Sequence, residues 1–487
     1  MTSARIIPPE VLDVQVSAAD PDISAFVSAN AGAGKTHVLA QRVINLLLRG
    51  CDPAKILCIT FTKAAAANMA NRVFGTLAQW TTLDDAALDA KIRASTGAAP
   101  NAALRARARR LFASALETPG GLKVQTIHAF CTRLLHQFPF EANVAARFSV
   151  LDEATTIQLL DELTLAVLLE ASAEPDSALG RALSAAIVAA ADSTFMEVIG
   201  DAIRQRDAIT AWIARAGGID AAMAGLSATF GLAPDDTIES VEAEFFSRSA
   251  IPIGEWPALI EILDAGTVSD QKHVTALLAA REATGRERID SYLKVFCTTE
   301  LKPRKNLITS ALAKRHPDWL ARLQAEQDRV CQLLARERAV RARDRTRALI
   351  TIAAEVIARY QAEKDSRALL DYEDLIDKTL DLFSRSSAAW VLYKLDLGID
   401  HVLIDEAQDT SPKQWSVITT IVSEFTPGGA RANVKRTVFA VGDEKQSIFS
   451  FQGAAPKAFD ENRRLFARQF DTPEQGWREL QFHHSFR

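Results

Sequence analysis

A short glycine-containing segment near the start of the chain has the composition of a phosphate-binding loop. Residues 28–39 read SANAGAGKTHVL, between an apolar, strand-like run and a helical pattern. In that context the backbone N–H groups of the loop point at phosphate, and Lys35 reaches the β and γ phosphates. Gly32 and Gly34 allow close approach of the backbone, and the Thr36 hydroxyl can bind Mg²⁺. The segment predicts a site for a nucleoside triphosphate with Mg²⁺, and the alternative is a tight turn without function.

Two adjacent carboxylates near the other end of the chain are candidates to complete this site. The run VLIDEAQD predicts a strand that carries Asp405 and Glu406 at its carboxyl end, where ligands usually bind in open α/β sheets. Asp405 would hold Mg²⁺ together with Thr36, and Glu406 would polarise the attacking water. Alone, the pair fits a helix N-cap equally well. With the loop upstream it predicts hydrolysis of ATP, and the several hundred positions between the motifs predict an inserted domain.

The predicted secondary structure that must position these residues changes twice along the chain, from mixed strands and helices to helices alone and back again. Strands are predicted at residues 23–29, 56–60, 122–126, 401–407 and 437–443, among amphipathic helical stretches. A long stretch rich in Ala, Leu, Glu and Arg with helical periodicity lies between the two groups of strands. The predicted fold class is therefore α/β, with a P-loop domain and a parallel sheet formed by residues 1–155 and 365–487, interrupted by a large, mostly helical insert at 156–364.

The composition is that of an ordinary folded protein, with 487 residues of which 48% are hydrophobic and 24% charged. This excludes a largely disordered or fibrous chain. The formal charge of −5 means that contact with nucleic acid requires a local basic surface. The five scattered cysteines, the absence of a signal-like N-terminus and the absence of a membrane-length apolar run predict a cytoplasmic protein without disulfides or a zinc site.

Two arginine-rich stretches are candidates for such a basic surface. Residues 105–110 read RARARR, and a second set lies along one predicted helix at Arg336, Arg338, Arg341, Arg343, Arg345 and Arg347. That helix would be basic nearly all round, which favours a solvated surface, and contact with duplex DNA is the sharper alternative. The acidic segment DYEDLI at residues 371–376 is interpreted as structural, so the Mg²⁺ of the nucleotide is the only metal predicted.

The motifs at both ends of the chain, taken in order, resemble those of superfamily 1 DNA helicases of the UvrD/Rep type, most closely the AddA branch of helicase–nuclease subunits. The run A-x-A-G-x-G-K-T is this family's own form of the phosphate loop, which accounts for Ala29 where the general pattern has glycine. Gln15 matches the family's adenine-recognising glutamine. VGDEKQSIFSFQGA and LQFHHSFR are similar to two later motifs. The resemblance implies that Gln446 reads the γ-phosphate, that Phe486 stacks on adenine, and that Arg487 approaches the γ-phosphate.

Further motifs resemble the family's contacts with single-stranded DNA. They are ITFTKAAAANMANRV at residues 59–73, where Asn68 replaces a usual glutamate, VQTIHAFCTRLL at 124–135, and the segment that contains Gln446. The resemblance assigns to DNA the residues Thr60, Phe61, Thr62, Lys63, Thr126, His128, Phe449 and Phe451. Residue type alone favours burial of the two phenylalanines Phe61 and Phe451 and of His128 in the core. Their DNA role depends on the motif context.

Together the loop and the resemblance define the predicted site. The predicted nucleotide contacts are Gln15, Ala29, Asn30, Ala31, Gly32, Ala33, Gly34, Lys35, Thr36, His37 and Phe486. The predicted catalytic residues are Lys35, Asp405, Glu406, Gln446 and Arg487, with Thr36 and Asp405 as metal ligands.

The resemblance implies a RecA-like domain that uses ATP and Mg²⁺, the leading half of a DNA helicase or translocase of double-strand break repair. Such a motor acts on single-stranded and duplex DNA, and the family implies an AddB-type partner subunit. In the family a second motor domain supplies a further catalytic arginine, so this chain alone is expected to bind nucleotide better than it hydrolyses it. Two other interpretations stay open from the residues alone. One is a truncated, non-catalytic fragment whose DNA binding is gated by nucleotide, and the other is an unrelated P-loop ATPase.

Overall fold

The structure is a computed structural model that describes residues 8–30, 32–118, 121–189, 192–385, 390–391, 394, 398–425, 434–443, 456–473 and 475–484. The chain separates into two compact units. One unit comprises Met1–Glu153 together with Ser366–Arg487, and the other comprises Ala154–Asp365. The first unit carries both predicted nucleotide motifs.

The first unit is built on a parallel β-sheet. Among the described residues, six strands form this sheet: β1 (Ser24–Ala29), β2 (Ile56–Thr60), β3 (Lys123–Thr126), β6 (His401–Ile404), β7 (Thr437–Gly442) and β8 (Trp477–Phe482). Their spatial order is β3-β2-β6-β7-β1-β8, and every neighbouring pair is parallel. The carboxyl ends of β1 and β6 therefore lie at one edge of the sheet, separated by β7.

Helices cover both faces of this sheet. The helices of the first unit are α1 (Pro9–Ala18), α2 (Lys35–Arg49), α3 (Lys63–Thr82), α4 (Asp85–Thr96), α5 (Ala102–Glu117), α6 (Ile127–Gln137), α18 (Tyr372–Arg385), α19 (Pro412–Ser423) and α20 (Pro456–Phe470). Short 3₁₀ turns occur at Pro53–Lys55 and Ala407–Asp409. A two-stranded parallel pair, β4 (Ser149–Val150) with β5 (Leu369–Leu370), joins the two segments of the unit.

The strands β2, β6 and β7 are fully buried, and β1 nearly so, because alternate side chains enter two different apolar cores. On β1, Phe26 packs with residues of α6, α18, α19 and α20, whereas Val27 packs with residues of α2 to α5. The same division separates Ile404 from Leu403 on β6. Burial on both faces is characteristic of parallel sheets whose crossovers are helices, and it explains the continuous apolar runs in the sequence.

The sequence predicted most of these strands to within a few residues. Runs expected at 56–60 and 122–126 form β2 and β3, and the run expected at 401–407 ends earlier, at Ile404, because residues 407–409 form a 3₁₀ turn. The strand β8 was not predicted. It pairs with β1 at the edge of the sheet and has the mixed sequence WRELQF, in which polar side chains are tolerated.

The second unit is helical. Its helices are α7 (Glu153–Ala173), α8 (Ala178–Ala189), α9 (Asp192–Arg204), α10 (Arg206–Ala216), α11 (Ile219–Thr229), α12 (Ile238–Ser247), α13 (Trp256–Asp264), α14 (Val268–Glu282), α15 (Gly285–Phe296), α16 (Ser310–Arg315) and α17 (Pro317–Arg367). At 1.5 Å per residue, the 51 residues of α17 span about 77 Å. No helix of the described part of the chain is long and apolar enough to cross a membrane.

The long helix α17 contributes to two apolar cores of the helical unit. Its first half, from Leu323 to Val340, packs around the buried Trp256 and Tyr292. Its second half, with Ile352 and Val356, packs against α7, α8 and α9. The helix α17 therefore belongs to both apolar cores of the helical unit.

Several arginines of α17 form ion pairs inside the helical unit. Arg336 pairs with Asp236 and, at 2.7 Å, with Glu244. Arg341 lies 2.8 Å from the buried Glu337, and Arg347 pairs with Asp220. Arg338 and Arg345 are exposed. Carboxylates of other segments of this unit, together with Glu337 of α17 itself, therefore offset much of the positive charge that the sequence offers to duplex DNA.

A buried histidine at the start of β6 predicts loss of stability in acid. The His401 ring Nδ1 lies 2.8 Å from the Thr437 hydroxyl. Burial, with the nearby Arg42 charge, lowers the pKa of His401 to about 3, against 6.5 in an exposed peptide. Below pH 6.5 the unfolded chain binds a proton that the folded chain does not. The free energy of unfolding should fall by about 1.4 kcal/mol per pH unit from this group, between pH 6.5 and its folded pKa.

The variant His401→Gln should flatten this acid dependence by the same slope, measured by urea unfolding at several pH values between 7.5 and 4.5. The exposed His483→Gln is the control and should keep the wild-type slope. If His401→Gln keeps the wild-type dependence of unfolding free energy on pH, then the His401 imidazole takes up its proton at the same pH in the folded and the unfolded protein.

Candidate nucleotide-binding site

The phosphate-loop segment connects the end of β1 to the start of α2. Gly32 and Gly34 have φ of 73° and 87°, in the left-handed region that favours glycine. Gly34 is the N-cap of α2, and the helix begins at Lys35. The first N–H groups of a helix have no partner within the helix, so this end presents backbone donors and a partial positive charge to an anion.

The structure explains why alanine is acceptable at position 29. Ala29 is the last residue of β1, where the backbone is extended, and it pairs with Phe482 of β8. Its methyl group is buried in the core beneath α2. Position 29 therefore does not need the left-handed conformations that only glycine adopts readily.

Lys35 brings the two distant motifs together. Its side chain is 8% exposed, and its Nζ lies 2.7 Å from Oε2 of Glu406. This contact joins the start of α2 to the residue that follows β6, across several hundred positions of sequence. The loop and the acidic strand end therefore share one site, and a buried ammonium beside them is suited to bind phosphate.

The acidic residues follow β6 without a gap. The Asp405 N–H donates to the Ile59 carbonyl at 2.9 Å and continues the pairing with β2, so its carboxylate is held at the sheet edge. One Asp405 carboxylate oxygen accepts the Glu406 N–H at 3.0 Å. Glu406 has φ of 50°, a left-handed conformation that costs energy in a non-glycine residue and is often found at functional sites.

Three carboxylates, those of Asp405, Glu406 and Asp409, lie close together at this partly buried site. Burial raises the pKa of Asp405 to about 6, and the Glu406 charge adds to this, while Lys35 opposes it. Burial and the Glu406 charge also raise the pKa of Asp409 to about 6. Three carboxylates next to one ammonium destabilise one another, and a divalent cation would relieve that repulsion.

The residues present fit Mg²⁺ and a triphosphate. Asp405 is a buried carboxylate, 5% exposed, and a carboxylate is the ligand type that Mg²⁺ prefers in proteins. Thr36 lies in the first turn of α2, immediately after Lys35. Protein sites usually give Mg²⁺ one or two ligands and leave the rest to phosphate and water. Thr36 and Asp405 would supply this number of protein ligands.

Among the described residues, Gln15, the predicted adenine contact, lies beside the phosphate loop. The Gln15 side-chain amide donates to the Ala33 carbonyl at 3.4 Å, so α1 lies against the phosphate loop. Asn30 and His37 are exposed. Arg42, on the buried face of α2, donates to the carbonyls of Ala18 and Asp20 at 2.9 and 2.6 Å. Arg42 therefore fixes the segment that follows α1.

The predicted DNA contacts of the first motif follow β2. Thr60 is buried and its hydroxyl donates to the Thr62 carbonyl at 3.0 Å. The Thr62 hydroxyl accepts the Ala65 N–H and caps α3. Phe61 is half-buried, and Thr62 and Lys63 are exposed. Phe61, Thr62 and Lys63 are thus the members of this group that solvent can reach, and the Thr62 hydroxyl is already used as the cap of α3.

The second predicted DNA motif follows β3. Thr126 is buried, and its hydroxyl accepts the Ala129 N–H at 3.2 Å as the cap of α6. The His128 ring lies 4.8 Å, centroid to centroid, from the ring of Tyr372. Burial lowers the pKa of His128 to about 4, so the imidazole is neutral at pH 7. Any contact it makes with a phosphate would be as a neutral donor.

Six predicted site residues lie outside the described residues. They are Ala31, Gln446, Phe449, Phe451, Phe486 and Arg487.

Two residues of the site were not singled out from the sequence. Gln408 and Asp409 belong to the same LIDEAQD run, and both are buried beside Glu406. The sequence signal available for Gln408 and Asp409 was that both are polar and follow a buried strand closely. The sequence alone could not show that the Gln408 side chain turns back toward the carboxylate two positions earlier.

A protein-family model matches residues 14–467 of this chain. The family is described as the UvrD/REP helicase N-terminal domain. Its extent includes the phosphate loop, the acidic strand end and the whole helical unit.

Curated relatives are named as the A-type subunits of an ATP-dependent helicase/nuclease. The protein of Latilactobacillus sakei subsp. sakei (strain 23K) is 26% identical over 489 residues, which cover 93% of this chain and 50% of that relative. The protein of Desulforudis audaxviator (strain MP104C) is 27% identical over 513 residues, covering 95% of this chain and 37% of that relative. This chain therefore spans half or less of the length of these relatives.

Proposed function

Because this chain belongs to the UvrD/REP helicase N-terminal domain family, we propose that it is the ATP-binding and single-stranded-DNA-binding part of an ATP-dependent DNA helicase of double-strand break repair. The observation that carries this proposal is the 2.7 Å contact between Lys35 Nζ and Glu406 Oε2. It supports one shared site for a triphosphate and a water-activating carboxylate, as a motor ATPase requires.

The proposed roles follow from the chemistry of each group. Lys35 and the first N–H groups of α2 bind the phosphates and offset their charge. Glu406 orients the attacking water and accepts its proton. Thr36 and Asp405 hold Mg²⁺, which when bound stabilises charge on the phosphate oxygens. The sequence resemblance adds Gln446 as a γ-phosphate contact and Phe486 as an adenine contact.

The proposed architecture is a RecA-like domain interrupted by a helical insert domain. The division of the chain at Glu153 and Ser366 supports boundaries close to residues 155 and 365. Since this chain covers 50% of one relative and 37% of another, we assign DNA unwinding to the longer protein, in which the resemblance implies a second motor domain. We propose that the partner is of the AddB type, since the relatives are named as subunits.

The proposed single-stranded DNA contact begins at the carboxyl end of β2. A half-buried aromatic ring, Phe61, beside an exposed Lys63 suits stacking on a base combined with attraction to the backbone. Stacking of this kind contributes about 1–3 kcal/mol per base without requiring a particular sequence. The net charge of −5 for the whole chain makes such local contacts necessary.

The test measures ATP binding and ATP turnover separately, with and without oligo(dT). The proposal expects Mg²⁺-dependent ATP binding and a weak turnover that oligo(dT) increases, since the resemblance implies that a second motor domain contributes a further catalytic arginine. ATP binding with DNA affinity that depends on nucleotide, but without turnover, would instead support the non-catalytic interpretation. Turnover that oligo(dT) does not change would favour an ATPase that acts on another substrate, and absence of ATP binding would contradict the proposal outright.

A further inference from the structure

Two free cysteines from different helical segments meet in an apolar core of the helical unit. Cys297 directly follows α15 and is 1% exposed, whereas Cys331 lies within α17 and is partly exposed. Both belong to the core that surrounds Trp256. The Cys297 side chain is hydrogen-bonded to that of Cys331, and both cysteines are in the thiol form.

Hydrogen bonds hold the backbone at Cys297 against the face of α17 that carries Cys331. Cys297 begins a short hairpin at residues 297–304, which the Arg304 N–H closes by donating to the Phe296 carbonyl at 2.9 Å. Gln327 lies one turn before Cys331 on the same face of α17. Its Nε2 donates to the Phe296 carbonyl at 2.8 Å and to the Arg304 carbonyl at 3.0 Å. The contact between the two thiols is therefore fixed by the surrounding backbone.

The two thiols differ in their access to solvent. Burial, together with the neighbouring Cys331 thiol, raises the pKa of Cys297 to about 11, so Cys297 is uncharged at pH 7. The positive charges of Arg304 and Arg338 oppose this shift and would stabilise negative charge that develops on the Cys297 sulfur. Because Cys331 is partly exposed, a small oxidant from solvent reaches its sulfur first.

We propose that Cys297 and Cys331 form a reversible modification site, at which hydrogen peroxide converts the two thiols into a disulfide that links α17 to the 297–304 hairpin. The site lies in the helical unit, outside the unit that carries the nucleotide motifs, and it is independent of the proposed function.

The reaction has two balanced steps. The Cys331 sulfur attacks the O–O bond of the peroxide, which gives a sulfenic acid and releases one water. The Cys297 sulfur then attacks the Cys331 sulfur, so that an S–S bond forms, the S–O bond breaks and a second water leaves. Overall the two thiols lose two protons and two electrons, which reduce one hydrogen peroxide to two waters. A dithiol reductant reverses the modification by thiol–disulfide exchange.

The other cysteines lie in the first unit. Cys58 and Cys131 are buried there. Cys51 is partly exposed, and its thiol donates to the Asp52 carbonyl at 3.6 Å. Cys51 is therefore the matched control, because solvent reaches it without a second thiol as its hydrogen-bond partner.

The test treats the full chain with a few equivalents of hydrogen peroxide, removes the excess with catalase, and alkylates the unfolded protein with iodoacetamide. Trypsin releases the two cysteines in separate peptides, residues 295–304 and 330–336. Wild-type protein should lose two of its five alkylatable thiols and yield these peptides as a linked pair from a single chain. Dithiothreitol should separate the pair and restore both thiols.

Three variants identify the order of the steps. Cys51→Ser should give the same linked pair as wild type. Cys297→Ser should retain a sulfenic acid on Cys331 that dimedone traps, because the second thiol is missing. Cys331→Ser should keep Cys297 alkylatable after peroxide, because that thiol is buried.

The decisive result comes from the wild-type protein and does not depend on how the variants fold. Five alkylatable thiols after a treatment that oxidises glutathione in a parallel sample would overturn the proposal. A disulfide that contains Cys51, a link between two chains, or oxidation of Cys331 to a sulfinic acid without a link to Cys297 would overturn it as well.

Discussion

Replacing Lys35 with methionine should reduce ATP turnover by about 10² to 10³-fold, the usual effect of removing one preorganised charge-stabilising group from an active site. Methionine retains the length and the apolar stem of the side chain but removes the ammonium that contacts Glu406 at 2.7 Å. Phosphate binding and the orientation of Glu406 should both weaken. Phosphate release at saturating ATP, together with ATP affinity, measures the effect.

The control for this variant is Lys91→Met, at an exposed position on α4. It removes the same charge from the protein without touching the site, so its turnover should match wild type. Turnover in Lys35→Met close to that of Lys91→Met would show that the predicted loop does not bind the phosphates.

Replacing Glu406 with glutamine should separate binding from chemistry. The amide is nearly isosteric but cannot accept a proton from water, so turnover should fall by about 10² to 10⁴-fold. ATP affinity should remain near wild type or rise, because one of three neighbouring negative charges is removed. The same change takes away the Glu406 charge that raises the pKa of Asp405 and Asp409, so both pKa values should shift downward.

Glu461→Gln, at an exposed position on α20, is the control for that variant. Equilibrium binding of ATPγS and single-turnover hydrolysis should be measured on both proteins. If Glu406→Gln loses ATP binding while its folding is intact, Glu406 serves chiefly to hold Lys35 in place, and the water-activating role goes to another group.

The sheet was largely predictable because its central strands are buried on both faces. The runs around Ile59, Leu403 and Phe439 are continuously apolar and bounded by turn residues, and this is the clearest strand signal in a sequence. The edge strand β8 gives no such signal, because only one of its sides pairs and its side chains alternate between polar and apolar. Its place depends on β1, which lies far away in sequence.

The site was predictable only where a motif ties residue type to backbone geometry. The loop before Lys35 and the acids after β6 fulfil that condition. The roles of Gln408 and Arg42 do not, because each is defined by tertiary partners: Gln408 bonds the end of β7, and Arg42 bonds carbonyls that follow α1. Helical periodicity likewise predicted that the helix is basic nearly all round, but it could not show that Asp236 and Asp220, from other segments, pair with Arg336 and Arg347.

The most direct test is a crystal structure of the chain with Mg²⁺ and a non-hydrolysable ATP analogue. A single pocket is expected, with Lys35 Nζ within hydrogen-bonding distance of the β and γ phosphates and Mg²⁺ about 2.1 Å from the Thr36 hydroxyl, with Asp405 in direct or water-mediated contact. A nucleotide bound elsewhere, or phosphates that lie far from both Lys35 and Asp405, would contradict the assignment of this site.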